Sequence, residues 1–142
     1  VRVDNNRKIV FDMDEWLKLD GETGPYLQYA NARIKSLVEK LGPVNSSAHF
    51  ECLKNNSELA LASKLSRYND VIEKGWSDLK TIGLCSYLYE LAKLFNSFYV
   101  ECPIAKADTE ELKQARLALA AATGKTLERG LNALGISAPA RM

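Results

Sequence analysis

The chain has 142 residues, 46% of them hydrophobic and 26% charged, with a formal net charge of +1. That length suits one domain with its own core, and so even a charge balance excludes a protein that holds nucleic acid by bulk electrostatics alone. No apolar run approaches the roughly 18 residues needed to span a bilayer, so no membrane partner is expected.

The start, Val1-Arg2-Val3-Asp4-Asn5-Asn6-Arg7, lacks the apolar centre of a signal peptide, and Val1 in place of an initiator methionine reads as a piece excised from a longer protein. Cys52, Cys85 and Cys102 are odd in number and widely spaced, which suggests neither a disulfide framework nor a zinc site and fits a reducing, cytoplasmic setting. His49 and Cys52 are three apart but have no second ligand pair, so they are expected to be structural, with no metal bound. Charge is uneven: residues 1–30 carry net −2, residues 31–111 net −1, and residues 112–142 net +4. The null expectation for Lys113, Arg116, Lys125, Arg129 and Arg141 is a solvated helix face.

Taken in chain order, an irregular or short extended start through Lys8-Ile9-Val10-Phe11 gives way to a turn of helix around Asp14 to Leu19. Gly21 and Gly24 then break the chain. Pro25 suits a first helical position, and the first long helix is predicted from Pro25 to Leu41, where Gly42-Pro43 stops it. At about 100° per residue Leu27, Ala30, Ile34, Leu37, Val38 and Leu41 share one face, and Tyr26, Tyr29 and Arg33 form a stripe beside it. A tyrosine at such a border ordinarily buries its ring and leaves its hydroxyl wet, with no ligand involved.

Val44 to Asn56 is predicted as the main loop, with Asn55-Asn56-Ser57 offering caps for a helix from Glu58 to Tyr68. A helical piece from Val71 to Leu79 follows. Thr81 can cap an aromatic-rich helix running to Cys102, where Pro103 stops it, with Leu84, Leu88, Leu91, Phe95 and Phe98 as its buried stripe. Asp108 and Glu111 match a capping box for a last helix from Thr109 to Leu134, stopped by Gly135. Gly124 and Gly130 inside it mark either a close helix contact or a bend. Strand-like alternation is scarce, so the fold class is all-α, a bundle of about five helices.

Three stretches resemble one family. Gly24-Pro25-Tyr26-Leu27-Gln28-Tyr29-Ala30-Asn31-Ala32-Arg33-Ile34 resembles the opening of the C-terminal anticodon-binding, DALR-type domain of arginyl-tRNA synthetases. Leu84 to Tyr99, with its closing Phe98-Tyr99, is similar to that domain's later helix. Ala115-Arg116-Leu117-Ala118-Leu119, leading through Thr126-Leu127 and Gly130-Leu131 to Leu134 and the final Arg141-Met142, is similar to its end, since such chains commonly close in Arg-Met. The Asp-Ala-Leu-Arg string itself is absent, and position 31, often histidine in relatives, is Asn31. The resemblance implies one anticodon-binding domain over residues 1–142, with 1–20 as the junction to a catalytic core and 21–142 as the helical bundle.

It also implies the work. The parent would be an arginine–tRNA ligase using ATP and Mg²⁺, whose partners are the arginine tRNA and the catalytic domain of the same polypeptide, acting as a monomer. This sequence has no His-Ile-Gly-His-like or Lys-Met-Ser-Lys-Ser-like motif and one histidine, so the chain alone is expected to be inert, with no cofactor of its own. In the family the positions matched by Tyr26, Tyr99 and Met142 lie around the anticodon loop, and relatives recognise a cytosine at its middle position. Gln28, Tyr29, Arg33 and Asn96 are expected as supporting or hydrogen-bonding groups, and Arg116, Lys125, Arg129 and Arg141 as phosphate contacts. Single-stranded loops suit such a surface because unstacked bases can lie on aromatic rings. Two other readings stay open: a free-standing tRNA-binding protein of this type, and a helical protein–protein interaction module in which the tyrosines are interface anchors.

Overall fold

The computed structural model describes residues 12–16, 23–45 and 49–141. The extended start at 8–11, part of the first helical turn, part of the glycine break and Met142 lie outside these residues. Among them there are six α-helices and no strand: α1 (Met13–Trp16), α2 (Gly24–Leu41), α3 (Asn56–Ser66), α4 (Tyr68–Asp78), α5 (Ile82–Glu101) and α6 (Glu110–Ala133). Short 3₁₀ turns at Phe50–Cys52 and Ile104–Lys106 break up the two long connections. Five long helices make the bundle. α5 is central, with α2, α3, α4 and α6 all packed on it, and α6 also packs along α2 and α3.

Local chemistry accounts for most helix ends. Thr23 accepts the N–H of Tyr26 at 3.3 Å and Pro25 occupies the first turn of α2, while Gly42 ends it at φ 93°. At α3 a full capping box forms, with Asn55 accepting from Ser57 and Glu58 accepting from the Asn55 N–H at 2.9 Å. α3 and α4 are separated by Arg67 alone, a shorter join than the expected one between Tyr68 and Val71. α6 closes in a Schellman motif: the N–H of Ile136 reaches the Leu131 carbonyl at 2.9 Å, with Gly135 at φ 73°.

Two caps differ from expectation. α6 is capped by Thr109, whose hydroxyl accepts from the Leu112 N–H at 3.1 Å, and not by the Asp108–Glu111 box. Thr109 has the extended backbone that an N-cap needs, so the helix starts one residue later. Thr81 makes no side-chain cap, because its backbone is already helical (φ −87°, ψ −14°) and the hydroxyl cannot reach forward.

The core forms where the α5 stripe meets α6 and α2. Leu84, Leu88, Leu91, Phe95 and Phe98 are all buried, against Leu117, Leu127 and Leu131 of α6 and Leu27 and Ile34 of α2. Both glycines of α6 stand at close helix contacts. A Cβ at Gly124 would stand 3.0 Å from Ile34 Cγ2, and one at Gly130 would stand 2.4 Å from Leu88 Cδ2.

A buried ion pair ties α3 to α6. Arg116 Nε donates to Glu58 Oε1 at 2.7 Å, and the other Glu58 oxygen takes the backbone N–H groups of Lys54 and Asn55, each at 2.9 Å. The Glu58 side chain is 1% exposed and that of Arg116 12%. Burial alone would raise the Glu58 pKa, but these hydrogen bonds and the guanidinium charge outweigh it and hold the carboxyl below its ordinary 4.5.

Two outcomes follow from this packing. Gly130→Ala forces Leu88 aside in a filled core, and the overpacking outweighs the helix propensity gained, so urea unfolding should show a loss of about 1–2 kcal/mol. Glu58→Ala strands a buried guanidinium and removes a cap, and should cost about 3–5 kcal/mol at pH 7. Because folding lowers the Glu58 pKa, its contribution is complete above the unfolded value of 4.5 and is lost as pH falls through the folded one. The native chain should therefore lose stability on acidification more steeply than Glu58→Ala does.

Candidate nucleic-acid interface

α2 and α5 run side by side in the same direction, as their side-chain pairings ascend together: Tyr26 meets Tyr89 and Asn96, and Arg33 meets Tyr99. The Tyr26 ring lies 5.4 Å from the Tyr89 ring at 52°. Asn96 Nδ2 donates to the Tyr26 hydroxyl at 3.1 Å. Burial and the neighbouring Tyr89 push the Tyr26 pKa up, only partly offset by the Asn96 bond. The phenol thus stays neutral around pH 7, with its oxygen engaged and its proton available to donate.

Tyr99 is half-buried and oriented from two sides. The guanidinium of Arg33 sits 5.0 Å from its ring centre, and the Phe95 ring lies near-parallel to it at 6.2 Å. A pocket of about 230 Å³ opens beside it, lined by Arg33, Ser36, Leu37, Lys40, Phe95 and Tyr99. The apolar floor and cationic rim suit a flat ring attached to an anion.

The C-terminal tail completes this side. Beyond Gly135 the chain turns back onto α2, where Gln28 Nε2 donates to the Ser137 carbonyl at 2.8 Å and Asn31 Nδ2 donates to that of Pro139 at 3.4 Å. Ile136 and Ala138 pack on the core beneath. Asn31 is fully buried, and its Oδ1 has no hydrogen-bond partner. Arg141 is thereby brought to a second pocket, about 360 Å³, shared with Tyr29, Ala32, Arg33 and Ser36. Two guanidiniums flank one hollow.

The expected residues therefore divide. Tyr26, Tyr29, Arg33, Asn96, Tyr99 and Arg141 come together along α2 and α5, and Met142 lies outside the described residues. Gln28 is on the same side, but its amide holds the tail. Arg116 lies away from this surface, bonded to Glu58 and to the Pro103 carbonyl at 3.2 Å. Lys125 stands on the other flank of α2, beside Lys35, Glu39 and Glu128, and Arg129 is exposed on α6, where its charge reaches the Tyr68 hydroxyl. Residues not singled out from the sequence also join in: Tyr89, Lys93 with its ammonium 5.7 Å from the Tyr89 ring, Ser36 and Lys40. Tyr89, Lys93 and Asn96 recur at helical spacing on α5, a signal legible in the sequence.

Comparison with known proteins bears on this surface. Residues 27–142 match the family described as the DALR anticodon binding domain. The chain belongs to that family. All of it matches an arginine–tRNA ligase of Bdellovibrio bacteriovorus at 46% identity, covering 25% of that protein, and 96% of it matches one from Streptomyces coelicolor at 40% identity, covering 23%. The structure superposes on Thermus thermophilus arginyl-tRNA synthetase with a TM-score of 0.91 and 32% identity, over the whole chain and 25% of that one. Plasmodium falciparum arginyl-tRNA synthetase shares the fold at a TM-score of 0.76, over 93% of the chain and 23% of its own. The chain thus spans about a quarter of the length of these relatives.

In this DALR domain two described side-chain hydrogen bonds, from Gln28 and Asn31, hold the tail to α2. Gln28→Ala removes one, worth about 0.5–1.5 kcal/mol. Proteolysis of residues 136–141 should then run several-fold faster, with the helical circular dichroism unchanged.

Proposed function

We propose that this DALR domain is the anticodon-reading part of an arginine–tRNA ligase, and that the α2–α5 surface with the C-terminal tail receives the anticodon loop. Family membership and the relatives' names support the class of function. The observation that carries the site is the Tyr99 ring, fixed between Arg33 and Phe95 beside an open pocket, one turn of α5 from the Asn96–Tyr26 bond.

The chemistry fits an unstacked loop. A base can lie against the Tyr99 or Tyr26 ring, each stacked base contributing about 1–3 kcal/mol. The Tyr26 hydroxyl and the Asn96 amide offer hydrogen bonds to a base edge, which stacking alone does not distinguish. Arg33 and Arg141, with Lys40 nearby, are placed to meet the phosphates between the splayed bases. In this reading Met142 closes the loop's contact from the tail. Lys125 and Arg129, on other faces, would act at most on more distant phosphates, and Arg116 is committed to the fold.

ATP and Mg²⁺ would serve the joining of arginine to its tRNA. The described residues do not fit either: they include no group of three or more His, Cys, Asp or Glu able to hold a metal, and the sequence has no glycine-rich phosphate loop. Those groups would belong to the rest of the ligase, and this domain contributes binding and orientation. In this reading the enzyme works in the cytoplasm with the translation machinery. No described helix is long and apolar enough to cross a membrane.

Tyr26→Ala and Tyr99→Ala should each raise the Kd for an arginine tRNA by roughly one to two factors of ten, with unchanged circular dichroism. The native chain should bind less tightly to the same tRNA with its middle anticodon base replaced. Unaltered affinity in both variants would remove the stacking role, and no binding to any tRNA would favour a protein interaction module.

A further inference from the structure

Asn31 stands in the apolar stripe of α2, among Leu27, Ala30 and Ile34, and is fully buried. It does little for the fold there. Its Nδ2 makes one long bond, 3.4 Å, to the Pro139 carbonyl, and its Oδ1 has no partner among the described residues. Proline has no N–H with which the tail could answer that oxygen. A buried acceptor left unpaired is a cost that an apolar side chain of similar size avoids, so core packing by itself favours leucine at this position.

What the amide does reach is the tail. Ile136 and Ala138 rest on the core, Gln28 holds the Ser137 carbonyl, and the Asn31–Pro139 bond is the last described hydrogen bond before Arg141, two residues further on. From there Arg141 enters the hollow of about 360 Å³ that it shares with Arg33. The other lining residues, Tyr29, Ala32 and Ser36, carry no negative charge. Two guanidiniums in one hollow without a carboxylate repel each other, and a chain end frays unless it is tied down. Placed together, with the hydroxyl-bearing Tyr29 and Ser36 beside them, they make a donor set that suits a phosphate diester.

We infer that Asn31 is a positioning residue: by holding Pro139 it keeps Arg141 in the hollow with Arg33, and the two guanidiniums close on one backbone phosphate of the bound RNA loop. This deepens the ligase reading above, on which it rests.

The test is a double-mutant cycle on the 142-residue chain, with the Kd for an arginine tRNA measured over a range of salt concentrations. Asn31→Leu and Arg141→Gln should each weaken binding about fivefold and lower the salt slope by about 0.7, the share of one phosphate contact in single-stranded RNA. Together they should weaken binding no more than either alone, because both remove the same contact. The Asn31→Leu chain should melt no lower than its parent, which separates placing from folding. Losses that multiply, or an Asn31→Leu chain with the parent's salt slope, would overturn the proposal.

Limited trypsin digestion reads the same placing without RNA. Cleavage after Arg141 should be about fivefold faster in Asn31→Leu than in the parent, since a held segment must open before it is cut. Cleavage after Lys80, between α4 and α5, should be unchanged. Equal rates after Arg141 would overturn the proposal, as would faster cleavage at both sites, which marks a loosened bundle. A parent chain that binds no arginine tRNA overturns the ligase reading, and the trypsin rates then still decide whether Asn31 places Arg141.

Discussion

The close approach of α6 to two other helices governs the arrangement of this domain. Gly124 lets it meet Ile34 of α2 and Gly130 lets it meet Leu88 of α5, and in both places a methyl group would already press on its neighbour. Protein interiors pack at near-crystalline density, so a displacement at either point would pass to whatever lies beyond. Here that is the pairing of α2 with α5. The Asn96–Tyr26 hydrogen bond and the placing of Arg33 over Tyr99 both need these helices in one register. The same α6 ends at Gly135, which returns the tail to Gln28 and Asn31.

A net charge of +1 sits uneasily with RNA recognition only if recognition means bulk attraction. Counting cations over residues 112–142 overstates what a phosphate would meet. Arg116 is spent on Glu58, and Lys113 pairs with Glu110 at 3.2 Å within its own helix. The cations of the α2–α5 surface, Arg33, Lys40, Lys93 and Arg141, come instead from three separate parts of the sequence and stand beside rings already oriented by packing. Ordering a side chain on binding costs free energy, and rings fixed beforehand avoid part of that cost. In the proposed reading such a surface would gain affinity from shape and stacking, without a strong non-specific field.

The two ends of α5 carry contrasting chemistry. Toward its C-terminus lie half-buried rings, amides and guanidiniums, a wet, mixed surface suited to a nucleic-acid loop. Ahead of its N-terminus the end of α4 exposes Trp76 and, three residues on, Leu79 in a glycine's conformation. A rigid central helix separates them and fixes their spacing.

Much of the helical plan was legible in the residues. The Leu27, Ala30, Ile34 stripe, the Leu84 to Phe98 stripe, Pro25, Gly42, Asn55 and Gly135 each act through local sterics or hydrogen bonds within a turn or two. The two misplaced caps, Asp108 and Thr81, failed for a local reason as well, since the backbone angle at the cap depends on how the preceding turn packs. Periodicity put Tyr26, Tyr29 and Arg33 at a border between core and water, and family resemblance joined them to Tyr99 and Met142. By itself the sequence determined the helices and their apolar faces. Only the tertiary structure decided which cations serve that surface, because Arg116 meets Glu58 across 58 residues and Gln28 meets Ser137 across 109. Helical spacing assigns a residue to a face, and the neighbour that face meets is set by packing between segments far apart in the chain.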